Sequence, residues 1–315
     1  MTTAFVLSGG GNMGAVQVGM LAALQERRIV PDLLVGTSVG ALNVAYLGDR
    51  EMTADAIDGL AGLWRRVRRR DAFPVDPLRQ MLALTGRRPS LCSSEPLRRL
   101  IADNVGYRRL EDANVPVHLV TTNVLTGEKV CLYTGDTVSA VLASTALPAV
   151  FPAVEIDGMV LCDGGMAVTG GVSRAVALGA DQVYLLPAGH ACALTEAPAG
   201  PMGAAVHALS LLIQRQLLLE IAHTVDQAEL HVLPPLCPVS VSPLDFTRAG
   251  ELIGRAYQAT STWLADGSDR LPNPERFLSL HGHGPGHNVA AAQREEIRHG
   301  AYPPGPARTR RASAG

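Results

Sequence analysis

Ser38 stands in Gly36-Thr37-Ser38-Val39-Gly40, a G-x-S-x-G run between the apolar Leu33-Leu34-Val35 and the helix-like Ala41-Leu42-Asn43-Val44-Ala45. A serine at a sharp strand-to-helix turn has its hydroxyl lifted clear of the sheet, and small residues on either side keep the turn from clashing. The helix that follows points its N-terminus at the same place, where unpaired N–H groups and the macrodipole favour developing negative charge. The chemistry on offer is nucleophilic attack on an acyl carbon. A serine hydroxyl is a weak nucleophile until a base accepts its proton and donors stabilise the oxyanion. Gly9, Gly10 and Gly11 offer such donors, because three consecutive glycines put backbone N–H groups in a turn that no side chain obstructs.

The base is harder to find. A Ser…Asp…His order would suggest an ordinary hydrolase triad. The histidines that follow Asp163 begin with His190, His207, His223 and His231, and none has the loop-after-strand setting that would aim it at Ser38. His207 and His223 read as helix-face residues, and His118 as a core histidine inside an apolar strand. Asp163 follows the short apolar run Val160-Leu161-Cys162 and precedes Gly164 and Gly165. A carboxylate just past a buried strand, with glycines permitting close backbone approach, is a candidate base; a simple turn explains the same residues equally well.

Gly9, Gly11 and Gly14 also fit G-x-G-x-x-G after a strand, the dinucleotide fingerprint. That fingerprint needs an acidic residue at the end of the second strand for the ribose. Val35-Gly36-Thr37 occupies the place, so the dinucleotide reading fails.

The elements that position these residues follow from periodicity. Ala4 to Ser8 reads as a buried first strand, Ala15 to Arg27 as a helix, and Leu33 onward as a second strand. This β–glycine loop–α–β–elbow–α order implies a parallel pair, with the glycine turn and Ser38 together at the carboxyl ends of the sheet. Residues 55 to 109 look mainly helical, with Ser94 as a helix cap ahead of Pro96 and a turn near Thr85-Gly86. Pro116 to Thr122 and Lys129 to Tyr133 read as strands joined through Leu125-Thr126-Gly127. Val138 to Ala146 reads as a helix, Val160 to Cys162 and Asp181 to Pro187 as strands, Gly203 to Gln227 as a long apolar helix, and Ala249 to Leu264 as the last helix.

Composition supports one α/β domain. The 315 residues are 47% hydrophobic and 18% charged, with 32 glycines and 21 prolines, which describes a loop-rich globular protein. A formal charge of −2 gives no overall pull towards nucleic acid. The five cysteines are scattered and form no C-x-x-C, which suggests free thiols in a reducing compartment and no metal site. The N-terminus lacks a basic leader, and no apolar stretch reaches the roughly 18 residues of a membrane span, so a cytoplasmic protein is expected. Residues 1–280 are read as the domain; residues 281–315, rich in Gly, Pro, His, Arg and Ala, as a mostly disordered tail in which metal binding by histidines is a weak alternative.

Four blocks in order carry a family resemblance. Ser8 to Gly14, Gly36 to Asn43, Ala143 to Pro152 (ASTALPAVFP) and Asp163-Gly164-Gly165 are similar to the motifs of patatin-like phospholipases. The resemblance implies a three-layer α/β/α fold with a mainly parallel central sheet, and lipid acyl-hydrolase activity through a Ser–Asp dyad with no catalytic histidine and no cofactor. Carried over by position, Ser38 is the nucleophile and Asp163 its base. The N–H groups of Gly10 and Gly11, joined by Gly9 and Asn12, form the oxyanion hole, and Gly36, Gly40, Gly164 and Gly165 support elbow and dyad. The chain departs from the pattern at Met13, where many members carry a basic residue, and at Val168 to Val172, where members tend to have Asn-x-Pro.

A lipid hydrolase must meet an aggregated substrate, so transient contact with a membrane surface is expected. Arg65, Arg66, Arg68, Arg69 and Arg70 follow Trp64 and could touch anionic head groups, although a solvated helix end accounts for them too. The long helix from Gly203 reads as core, with a lid as the alternative. Two rivals to the hydrolase stand: a lipid-binding or regulatory protein on the same scaffold, and an esterase assisted by His223 or His231. The sequence does not set the oligomeric state.

Overall fold

The computed structural model describes residues 1–166, 171–189, 198, 200–224, 226–242, 244–270 and 278. Its strands are β1 (Thr3–Leu7), β2 (Leu33–Thr37), β3 (Val117–Asn123), β4 (Lys129–Leu132), β5 (Val154–Ile156), β6 (Met159–Asp163), β7 (Gln182–Leu186) and β8 (Glu229–Val232). The helices are α1 (Gly14–Glu26), α2 (Val39–Leu47), α3 (Ala54–Arg66), α4 (Arg69–Ala72), α5 (Pro77–Leu84), α6 (Glu95–Asn104), α7 (Thr137–Ser144), α8 (Gly171–Ala177), α9 (Gly200–Thr224) and α10 (Ala249–Ala265).

All eight strands join one sheet, in which neighbours run β5-β6-β3-β2-β1-β7-β8 and β4 also pairs with β3. Strands β3, β2, β1, β7 and β8 are parallel, the β1–β2 pair as the β–loop–α–β order predicts, while β4 and β6 lie antiparallel to β3. The parallel strands are apolar on both faces because helices cover both. Alternation along β1 separates the two cores: Phe5 and Leu7 pack with α1, α2, α3 and α10, whereas Ala4 and Val6 pack with α8 and α9. The architecture is therefore a three-layer α/β/α fold with a mostly parallel sheet.

One detail of register matters for function. Thr121 and Thr122 pair with Val130 and Lys129 of β4 and also with Asp163 and Cys162 of β6. A strand has two edges, so β6 takes the edge opposite β4. That is the edge β2 occupies up to Val120, which is level with Thr37. Strands β2 and β6 thus approach each other end to end along β3, and their last residues, Thr37 and Asp163, face neighbouring positions 120 and 121.

Several sequence expectations are corrected. The long helix begins at Gly200 and ends at Thr224, three residues before each expected bound. Ser94 sits at the N-cap of α6 with no capping side-chain bond; the Ser93 hydroxyl accepts from the Glu95 N–H at 3.2 Å instead. Strands β5 and β8 were not anticipated. The tail 281–315 and the altered run Val168 to Gly170 lie outside the described residues.

Candidate active site

The elbow is built by close packing. Ser38 has φ 54° and ψ −123°, a left-handed conformation that costs a non-glycine residue about 1–3 kcal/mol and persists only where surroundings impose it. The neighbouring glycines impose it. A Cβ at Gly40 would lie 2.2 Å from the Leu7 carbonyl oxygen, and one at Gly36 would lie 2.5 Å from Val44 and 2.7 Å from the Ala41 backbone. The Ser38 N–H donates to the Ser144 hydroxyl at 3.0 Å, and that hydroxyl donates to the Val120 carbonyl at 2.7 Å. Ser144 therefore fills the place where β2 leaves β3. Neither contact involves the Ser38 hydroxyl, which lines a cavity.

Asp163 ends β6 and is wholly buried. Its backbone is pinned by two bonds, from its N–H to the Ala146 carbonyl at 3.0 Å and from the Thr122 hydroxyl to its carbonyl at 3.0 Å. Oδ1 accepts from the Gly165 N–H at 2.8 Å, whereas Oδ2 is buried without a hydrogen-bond partner. Burial pushes the carboxyl pKa up to about 6, against smaller opposing effects from the Ser38 hydroxyl and the Gly165 N–H. The Ser38 hydroxyl favours the carboxylate, and Oδ2 is left open. A carboxyl poised near neutrality, with one open oxygen beside a serine, suits proton exchange. Gly164 and Gly165 are required by space: a Cβ at Gly164 would lie 2.2 Å from the Val120 oxygen, and one at Gly165 would lie 2.7 Å from Ile213.

The glycine turn lies against the elbow, as expected. A Cβ at Gly9 would sit 3.1 Å from Ser38 Cβ and 3.8 Å from its Oγ, and one at Gly10 would sit 2.6 Å from Ala188 Cβ. Gly11 has φ 61° and opens a 3-10 turn, Gly11–Met13. Among the described residues, no acceptor holds the N–H groups of Gly9, Gly10 or Gly11. The Asn12 side chain is otherwise engaged, its amide nitrogen donating to the Asp245 carbonyl. Met13, where a basic residue is usual, is buried in the core.

A polar network absent from the sequence reading ties this turn to α2. Trp64 Nε1 donates to Asn43 Oδ1 at 2.8 Å, and Asn43 Nδ2 donates to Gln17 Oε1 at 2.8 Å and to the Gly14 carbonyl at 3.0 Å. Gln17 Nε2 in turn donates to the carbonyls of Ser8 and Leu186 at 2.9 and 3.0 Å. Gln17 and Asn43 are wholly buried, and a satisfied buried network of this kind fixes its members rigidly. Asn43 and Ser144 fall inside the motif blocks; Gln17 carries no sequence signal at all.

An apolar cavity of about 840 Å³, counting its open mouth, begins at Ser38 and Gly11 and runs along α2 past Val39 and Leu42 to Tyr46. Eight residues of helix span roughly 12 Å. Trp64, Phe73, Phe151 and Phe246 also line it, with Phe73 lying 5.4 Å from Phe151 and 6.1 Å from Phe246 between ring centroids. A smaller cavity of about 410 Å³ reaches the same centre from the α9 side, between Gly9, Gly165, Ile213 and Glu220.

Among the described residues, His118, His223 and His231 are held away from Ser38 by partners of their own. His231 lies on β8, where its Nδ1 is 3.0 Å from the Asp269 carbonyl oxygen and its ring stacks on Tyr184. His223 is at the exposed end of α9, bonded to the Leu219 carbonyl. His118 is held in β3 between Tyr133 and Arg174, and burial, reinforced by Arg174, lowers its pKa to about 4. His190 lies outside the described residues. No helix of the described residues is long and apolar enough to cross a membrane, and no group of three or more potential metal ligands occurs among them.

Residues 5–175, more than half of the chain, match the family model described as Patatin-like phospholipase. The chain is 30% identical over 185 residues to Lysophospholipase nte1 of Aspergillus oryzae, covering 58% of this chain and 12% of the relative. It is 31% identical over 163 residues to Neuropathy target esterase sws of Drosophila sechellia, covering 51% and 11%. It thus spans only about an eighth of the length of these relatives. Among solved structures, VipD from Legionella pneumophila covers 83% of this chain and 67% of its own, with 16% identity and a TM-score of 0.41.

Proposed function

The chain belongs to the patatin-like phospholipase family, and from that premise we propose that it hydrolyses carboxylic esters of lipids, with Ser38 as nucleophile and Asp163 as the sole general base. The observation that carries the reading is the strained Ser38 elbow beside a buried carboxyl whose Oδ2 is open. Ser38 Oγ attacks the ester carbonyl carbon while its proton passes to Asp163 Oδ2. The carbonyl oxygen, now an anion, is received by the N–H groups of Gly10 and Gly11, with Gly9 adjoining. Collapse of this intermediate breaks the ester bond; Asp163 returns the proton to the departing alcohol, leaving the acyl group on Ser38. Water then gives a proton to Asp163 and attacks the acyl carbon, and the fatty acid leaves as Ser38 recovers its proton.

The apolar cavity suits the acyl chain, since its lining offers little to hydrogen-bond and much to bury. Burying each methylene is worth about 0.8 kcal/mol, enough to hold the ester in place for attack. The relatives named lysophospholipase make a phospholipid with one acyl chain the first substrate to try. A fluorophosphonate probe, with turnover of short p-nitrophenyl esters, tests the assignment. Labelling confined to Ser38, and loss of turnover in Ser38→Ala and in Asp163→Asn with the fold retained, are the expected results. Wild-type-like turnover in either variant refutes the dyad. Folded protein that takes up lipid but no probe would instead be a lipid-binding member of the family.

A further inference from the structure

We propose that α5 and the arginines flanking it form a docking surface for anionic lipid bilayers. The proposal rests on the lipid-hydrolase reading for its substrate, but none of its own observations involves Ser38 or Asp163.

Helix α5 buries none of its residues. Leu78, Met81 and Leu84 are 63%, 56% and 82% exposed, and Val75 just ahead of the helix is 64% exposed. Spacing of three residues lines Leu78, Met81 and Leu84 along one side of the helix. This is a contiguous run of large apolar side chains on a helix that contributes nothing to the core, and such patches mark interaction sites. The helix is nevertheless ordered by polar ties: Asp76 Oδ1 caps it through the Arg79 N–H at 3.0 Å, and the Arg79 guanidinium turns inward to the Ser90 hydroxyl at 3.0 Å.

Charge identifies the partner. Residues 65–88 hold eight arginines against Asp71 and Asp76, a formal +6, whereas the whole chain carries −2, leaving −8 for the rest. Arg65, Arg66, Arg68, Arg69, Arg70, Arg87 and Arg88 are all exposed and bracket α5 in the chain. Among the described residues, no carboxylate lies within ion-pair distance of Arg65, Arg66, Arg69, Arg87 or Arg88. An apolar stripe bracketed by unpaired arginines matches the acyl and phosphate layers of an anionic bilayer. A second copy of the chain fits poorly, because an isologous contact would set +6 against +6.

The surface is also continuous with the substrate path. Ala72 and Phe73, between the arginine cluster and α5, line the cavity that ends at Ser38. The same stretch of chain therefore faces solvent with its apolar stripe and the acyl cavity with its aromatic ring.

The test is co-sedimentation with vesicles of phosphatidylcholine alone and of phosphatidylcholine mixed with phosphatidylglycerol, using Ser38→Ala protein so that the bilayer stays intact. Binding to mixed vesicles, weak binding to neutral ones, and loss of binding in high salt are expected. Replacing Leu78, Met81 and Leu84 together by Ser should lower mixed-vesicle partitioning at least tenfold. Removing one arginine near such a surface weakens binding about fivefold, so Arg87→Glu with Arg88→Glu should lower it well beyond that. The same substitutions in the Ser38 background should leave turnover of a soluble short-chain ester unchanged. Equal binding to both vesicle types, undiminished binding by the triple variant, loss of its soluble-ester turnover, or a dimer that the triple variant dissociates would each overturn the proposal. Failure of the dyad reading looks different: soluble-ester turnover absent from the wild type with vesicle binding intact.

Discussion

Replacing Asp163 by Asn should abolish turnover and at the same time make the protein more stable at neutral pH. Asp163 is wholly buried, and its pKa in the fold is about 6 against the usual 3.8, with burial as the main cause. An acid whose folded pKa lies above its unfolded value is most favourable to the fold where it is protonated in both states, below about pH 4. That contribution is lost as pH rises through about 6, because the buried carboxyl must then ionise. A pKa raised by about 2 corresponds to about 3 kcal/mol of stability forgone above pH 7. Asparagine keeps an oxygen for the Gly165 N–H and carries no charge. Urea unfolding of both proteins at several pH values reads the effect: the curves should coincide near pH 3, and the variant should gain steadily to about 3 kcal/mol by pH 7. The wild-type kcat/KM should rise with pH through about 6, since only the carboxylate accepts the Ser38 proton. Equal stabilities at pH 7, or a difference that does not change with pH, would refute the account of Asp163 as a carboxyl strained by burial.

Three further outcomes follow from the site. Ser144→Ala removes the hydroxyl between the Ser38 N–H and the Val120 carbonyl; leaving both unpaired should cost about 1–3 kcal/mol and lower kcat tenfold or more with KM little changed in steady-state assays. Leu42→Trp places bulk in the cavity one helical turn beyond Ser38, so a series of p-nitrophenyl esters should show long-chain turnover falling while acetate turnover persists. Gly164→Ala would bring a Cβ within 2.2 Å of the Val120 oxygen and should destabilise by roughly 1–3 kcal/mol, as overpacking does, seen as a lowered Tm.

How much of this was legible in the sequence depends on distance along the chain. The first β–α–β unit and the elbow were readable because glycine spacing and apolar runs act locally, and β1 and β2 pair in parallel as expected. The meeting of β2 and β6 on one edge of β3 was not readable, since it depends on which edge β4 takes. Strand β8 escaped notice because it is short and its leading residue Glu229 is exposed. The Trp64–Asn43–Gln17 chain joins three helices through buried side chains, a pattern with no period to detect. The arginine cluster was visible, but the apolar stripe of α5 was not, because only the fold shows that α5 buries none of its residues.

The end-to-end approach of β2 and β6 sets the proposed dyad at an interruption in the sheet, bridged by the Ser144 hydroxyl. Ser38 and Asp163 arrive on separate strands that share β3 and, through Ser144 and Ala146, the end of α7. On the proposed dyad, withdrawal of the short β5–β6 hairpin, whose pairing with β3 spans only Thr121 to Asn123, should therefore separate Asp163 from Ser38 while the parallel strands stay paired. Such a molecule would keep its far-ultraviolet circular dichroism and lose its turnover, so activity is a more sensitive gauge of the intact fold than secondary structure.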